Sequence, residues 1–145
     1  MSRVMARTAD DTLIYDNEPD LAVDAFIDVL RRSTLAKRRP VADRPRIACM
    51  LAHADIILCA RSSEGLLVGV SRALTDYAYC CYLSDLAVDR DWQGRGIGRE
   101  LIRRTHEIAG PQSMLLLLSA PGAMTYYPHT GMNKSENAFI IPRQS

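Results

Sequence analysis

The chain offers little that would tie it to a membrane, an export route or a metal. Its leucine-rich run, Met114–Leu118, is far shorter than the roughly 20 apolar residues a spanning helix needs. The N-terminus lacks the apolar core and cleavage site of a secretory signal. Neither sign of charge dominates: 18 Lys and Arg stand against 17 Asp and Glu, a formal net charge of +1. Charge alone therefore points to neither nucleic acid nor a membrane surface. Cysteine is sparse, at positions 49, 59, 80 and 81, and this spacing fits no zinc template. No metal is expected, and the four thiols read as small apolar residues in a reducing cytoplasm, with a catalytic thiol as the alternative. No Gly-Lys-Ser/Thr triplet occurs, which excludes the nucleotide P-loop. Internal repeats and low-complexity segments are also missing.

What is present is an ordinary globular composition, 48% hydrophobic and 24% charged, in 145 residues. That length suits one domain, 1–145, able to bury a single core. Residues 1–11 are polar and expected to be loose. Thr12–Tyr15 reads as a short strand, and Asn17-Glu18-Pro19-Asp20 as a helix start. Ala22, Ala25, Phe26, Val29 and Leu30 then recur at helical spacing, ending near Arg31-Arg32. A basic stretch from Thr34 to Arg46 follows, broken by Pro40 and Pro45, and Arg46–Ala52 reads as a second helix. Most such basic runs are simply solvated; the alternative is a loop that helps to hold an anionic part of a ligand. Asp55–Ala60, Leu66–Val70 and Tyr77–Val88 give three strands of an antiparallel meander. An amphipathic helix carrying Ile97, Leu101, Ile102, Ile108 and Ala109 ends at Gly110-Pro111. Met114–Leu118 shows no alternation and is expected to be a fully buried strand. A short helix over 119–127 and a last strand, Ala138–Ile141, complete the order.

The densest signal lies between the third meander strand and that amphipathic helix, in Gln93-Gly94-Arg95-Gly96-Ile97-Gly98-Arg99. Glycines at every second position leave backbone amides uncovered where a helix begins. The first turn of a helix has N–H groups without internal partners, and its dipole adds partial positive charge. Such a turn suits phosphate oxygens. The dinucleotide fingerprint needs a third glycine six places along, but Arg99 or Leu101 stands there. Gln93-x-x-Gly96-x-Gly98 after Leu86-Ala87-Val88-Asp89 instead closely resembles the pyrophosphate motif of the GNAT N-acetyltransferase superfamily. A second stretch, Ala123-x-x-Tyr126-Tyr127-x-x-x-Gly131-Met132, is similar to that family's aromatic-tyrosine-glycine signature. Pro128 and Met132 depart from it.

The resemblance covers nearly the whole chain and implies an α/β (α+β) fold. Its sheet is mixed but mostly antiparallel, with helices on both faces and two central parallel strands that splay apart. It implies acetyl-CoA as the cofactor, with the backbone of Leu86, Ala87 and Val88 on pantetheine. Gln93, Gly94, Arg95, Gly96, Ile97, Gly98 and Arg99 would form the pyrophosphate site. It gives Tyr127 the role of protonating the departing thiolate. The alternative for Tyr127 is packing, with its hydroxyl at the surface.

The implied reaction moves an acetyl group to an amine by direct attack through a tetrahedral intermediate. The amine must lose a proton, and an oxyanion must be held by a backbone N–H near Leu86. Asp85 is the first candidate base, since a carboxylate in an apolar strand has its proton affinity raised by burial. Its alternative is pairing with an arginine or capping loop amides. His129 is a weaker candidate; His53 and His106 show no pattern. The acceptor is a small-molecule or peptide amine, and a homodimer is expected by the same resemblance. A module that binds acyl-CoA without turnover is the second reading, and a nucleic-acid binder is disfavoured because the basic stretch lacks interleaved aromatics.

Overall fold

A computed structural model describes residues 12–124 and 126–145; the loose segment expected over 1–11 lies outside them. Five strands form one sheet in the order β1 (Leu13–Asn17), β2 (Ile56–Ser62), β3 (Leu67–Thr75), β4 (Cys80–Val88) and β5 (Met114–Leu116). The first four run antiparallel to their neighbours, and β4 and β5 are parallel. A parallel step requires a crossover, and α3 (Ile97–Ala109) supplies it. Helices α1 (Val23–Ser33) and α2 (Arg44–Ala52) lie between β1 and β2 in sequence.

The central strands β2 and β3 are buried on both sides because helices cover both faces. Against one face α1 and α2 set Phe26, Leu30, Ile47 and Leu51, which meet Ile57, Cys59, Val70 and Ala87. Against the other, Ile97, Leu101 and Ala109 of α3 meet Ile56, Leu58, Ala60 and Val68. Gly69 marks the closest approach: a Cβ there would come within 3.1 Å of both Ile97 and Leu101. Adjacent Cys80 and Cys81 obey the period of a strand, one exposed and one buried, and all four thiols are free.

Three expectations need correction. Helix α1 begins at Val23 with Ala22 as an uncapped N-cap, not at Asn17–Asp20. The capping groups are spent on β2 instead: Asn17 Oδ1 accepts from Ile57 N–H at 2.9 Å, and Glu18 pairs with Arg61. Met114–Leu118 is not a buried strand; β5 has three residues, and Met114 and Leu118 are 63% and 52% exposed. Ala138–Ile141 forms no strand, and Phe139 and Ile141 are almost wholly exposed. Among the described residues β5 ends the sheet and has a partner on one side only.

Candidate active site

Strands β4 and β5 begin as neighbours and then part. Their pairing runs only from Cys80 opposite Met114 to Tyr82 opposite Leu116. Strand β4 continues to Val88 with β3 alone beside it. Peptide groups of Leu83–Val88 not used by β3 therefore border an opening. That opening is a cleft of about 920 Å³, walled by β4, the start of α3, Leu117–Ala120, and Tyr126 and Tyr127. A shallower hollow of about 510 Å³ lies at the start of β4 and holds none of the candidate residues. Ser84 is the extra residue of a bulge in β4, since Arg72 and Ala73 of β3 face Asp85 and Leu83. A bulge re-aims the groups beside it, and this one lies on the cleft wall.

The turn from β4 into α3 is held from below. Asp89 is buried, accepts from Asp91 N–H at 2.8 Å and takes an ion pair from Arg32. Arg32 also donates to Leu67 O at 2.8 Å, so the loop is tied to α1 and β3. Gln93 donates its side-chain amide to Val88 O at 3.0 Å. Gly94 and Gly96 both have left-handed backbone, φ +79° and +81°, which other residues adopt only with strain. Gly96 is the N-cap of α3 and offers no side chain to its amides. The helical ladder starts with Glu100 N–H to Gly96 O at 3.0 Å, so Ile97, Gly98 and Arg99 precede it. A Cβ on Gly98 would displace the Tyr126 hydroxyl, which lies over the first turn of α3. Gln93, Gly94, Gly96, Ile97, Gly98 and Arg99 all line the cleft, as do Leu86, Ala87 and Val88. Arg95 does not; its guanidinium stacks 4.6 Å from the Trp92 ring centre.

Tyr127 reaches the cleft from the second of two 3₁₀ turns, Pro121–Ala123 and Tyr127–Thr130, that stand where one helix was expected. Gly122 and Pro128 explain the shortening, because neither sustains a helix interior. Tyr126 and Tyr127 meet edge to face, ring centres 5.1 Å apart. Burial pushes the Tyr127 hydroxyl above its ordinary pKa, Tyr126 adds to the rise, and nearby Arg39 opposes it. Tyr127 thus keeps its proton at neutral pH. His129 also lines the cleft, with its side chain exposed.

Asp85 is completely buried and lies outside the cleft lining. Its two oxygens are paired separately, one with Arg39 Nε and the other with Arg72 Nε. Arg39 also donates to Ser84 O at 2.7 Å, and Arg72 to Ser84 Oγ at 3.1 Å. The arrangement matches the alternative foreseen for Asp85, arginine pairing. It denies an amine direct access to the carboxylate. Sequence reasoning missed the partners: the basic run contained Arg39, but nothing distinguished it from Arg38 or Lys37. Arg72 sat in an apolar strand, where a second unpaired charge was the available sign. Of the other histidines, His106 bonds Ser113 O at 2.6 Å and His53 bonds Cys49 O at 3.0 Å.

With this geometry in view, the profile of the acetyltransferase (GNAT) family matches residues 23–129. The chain belongs to that family. Among curated proteins none matches. Solved GNAT-fold structures are similar over nearly the full length. One is a candidate acetyltransferase from Deinococcus radiodurans R1, with 21% identity and TM-score 0.72, covering 92% of this chain and 90% of that one. Another is aminoglycoside acetyltransferase meta-AAC0020 from an uncultured soil metagenomic sample, with 20% identity and TM-score 0.70, covering 94% and 98%. A third is aminoglycoside N-acetyltransferase AAC(6')-Iy in complex with CoA, with 14% identity and TM-score 0.68, covering 92% and 96%. At these identities the likeness is one of fold. This GNAT member is an α/β protein with a five-stranded mixed sheet, and its family makes it an acyltransferase. Among the described residues no helix is long and apolar enough to cross a membrane, and no cluster of three metal-ligating side chains occurs.

Proposed function

We propose that this GNAT protein is an acetyl-CoA-dependent N-acetyltransferase acting on an amine by direct transfer. The observation carrying the reading is the parting of β4 from β5 beside the uncapped start of α3. The residues fit the cofactor: glycine amides without side-chain caps suit a diphosphate, and Arg99 adds a cation at the same end. When bound, acetyl-CoA supplies an activated acyl group. Leu86, Ala87 and Val88 hold the pantetheine arm, and Gln93 through Arg99 hold the pyrophosphate, with Arg95 acting through Trp92. An N–H of β4 near Leu86 steadies the oxyanion. Tyr127, protonated at neutral pH, gives its proton to the thiolate. The buried Asp85 shapes the wall by fixing Arg39 and Arg72 around Ser84. The amine proton leaves by way of water in the open cleft, with His129 an exposed acceptor on its lining.

The remaining parts of the reading are one domain over 1–145, a small-molecule or peptide amine as acceptor, residence in the cytoplasm and a homodimer. Four free thiols support a reducing compartment. A sensor that binds acyl-CoA without turnover would have no use for a protonated tyrosine on the cleft wall. The deciding experiment is thiol release from acetyl-CoA across a panel of amines. Release that depends on the amine supports the enzyme, whereas tight coenzyme binding with no release for any amine would return the sensor.

A further inference from the structure

The cleft is one-signed. Arg38, Arg39, Arg99 and Arg143 line it, and no aspartate or glutamate does among the described residues. The whole chain is nearly balanced at +1, so this is a local concentration and not a reflection of composition. The arginines divide between two ends. Arg99 stands in the first turn of α3, with the glycine loop. Arg38 and Arg39 stand at the other end, on and just after the 3₁₀ turn Leu35–Arg38 that follows α1.

Commitments differ within that second group. Arg39 spends its guanidinium on Asp85, Ser84 O and Arg38 O. Together with Arg72 it encloses a single carboxylate, so the buried cluster behind Ser84 carries a net positive charge. Arg38 is exposed and has no ion-pair partner among the described residues. Arg143 joins from the tail, which reaches α2 through Arg46 and Ser145 O at 3.3 Å. A guanidinium presents a planar fork matched to carboxylate or phosphate. Walls of one sign concentrate ligands of the other and repel their own.

Building on the acetyltransferase reading, we infer that the acceptor is an anionic amine, one bearing a carboxylate or a phosphate beside its reacting nitrogen, with Arg38 as its specificity residue. The same wall disfavours polycationic acceptors. An aminoglycoside carries several ammonium groups and would meet Arg38 and the cationic Arg39–Arg72 cluster behind Ser84, with no carboxylate on the lining to offset them.

The test measures thiol release with matched pairs: glycine against glycinamide, O-phosphoethanolamine against ethanolamine, and sisomicin as a polycation. The anionic member of at least one pair should exceed its neutral partner in kcat/KM by about tenfold, as a charge-assisted hydrogen bond provides. That advantage should shrink with added salt. Arg38→Gln should narrow the ratio to about threefold or less, chiefly through the KM of the anionic member. Whichever pair responds distinguishes carboxylate from phosphate. Equal rates within both pairs, or a preference for sisomicin, overturns the inference. If no amine releases thiol, the same pairs are titrated into protein loaded with coenzyme A and followed by NMR. Preferential binding of anionic members then supports the inference, and equal or absent binding overturns it. Failure of coenzyme A itself to bind in a calorimeter sinks the acetyltransferase reading instead.

Discussion

Tyr127 and the four cysteines show how burial sets the chemistry of single side chains. A tyrosine held above its ordinary pKa of 10 remains a proton donor throughout the physiological range. Its contribution to stability is complete below pH 10 and is lost as pH rises through the higher folded value. Tyr127→Phe should lower turnover by about 10- to 100-fold, modest because a thiolate leaves readily. Coenzyme affinity should stay within about threefold, since only a hydroxyl is removed. Steady-state rates with calorimetry check both, and an unchanged rate returns Tyr127 to packing. Burial pushes the Cys59 thiol up to about 12, and Cys81 also lies above its usual value. A thiol reagent at neutral pH should therefore modify Cys49 and Cys80 in the native protein and spare the other two, as intact-mass spectrometry would record.

Two elements bear on the site through their ends and joints. The loop entering α3 depends on left-handed backbone at Gly94 and Gly96, and on the absence of a side chain over the first amides. Gly96→Glu adds strain of about 1–2 kcal/mol and places a carboxylate where a diphosphate should sit. Coenzyme binding should disappear from a calorimetric titration while the fold survives by circular dichroism. The joint between the 34–41 loop and the β4 bulge depends on Asp85. Asp85→Asn leaves two largely buried guanidiniums without their counter-charge, a loss of about 3–5 kcal/mol. A urea melt should show that loss together with reduced activity. An unchanged melt would remove Asp85 from this joint.

At the scale of the molecule the unfinished feature is the outer side of the sheet. Among the described residues strand β5 has no neighbour beyond it, and Phe139, Ile140 and Ile141 are largely exposed. Exposed edges and apolar side chains favour association. Sedimentation at rising concentration should give a dimer mass, and Ile141→Lys should shift the chain toward monomer. A monomer at all concentrations would remove the dimer from the proposal.

The sequence by itself determined the elements whose signals are local. The meander, α1, α3 and the glycine loop rest on periodicity and on residues that act where they stand, so the sequence alone makes them legible. It also determined the family, because two short motifs keep their spacing along the chain. Only the tertiary structure decided which charges meet. Asp85 lies 46 residues from Arg39 and 13 from Arg72, and no local pattern joins them. Only the fold could show that β5 is an edge, because burial is a property of neighbours and not of a leucine run. The one-signed wall of the cleft belongs to the same class: its arginines come from three distant segments, and a nearly neutral sequence gave no sum from which to read it.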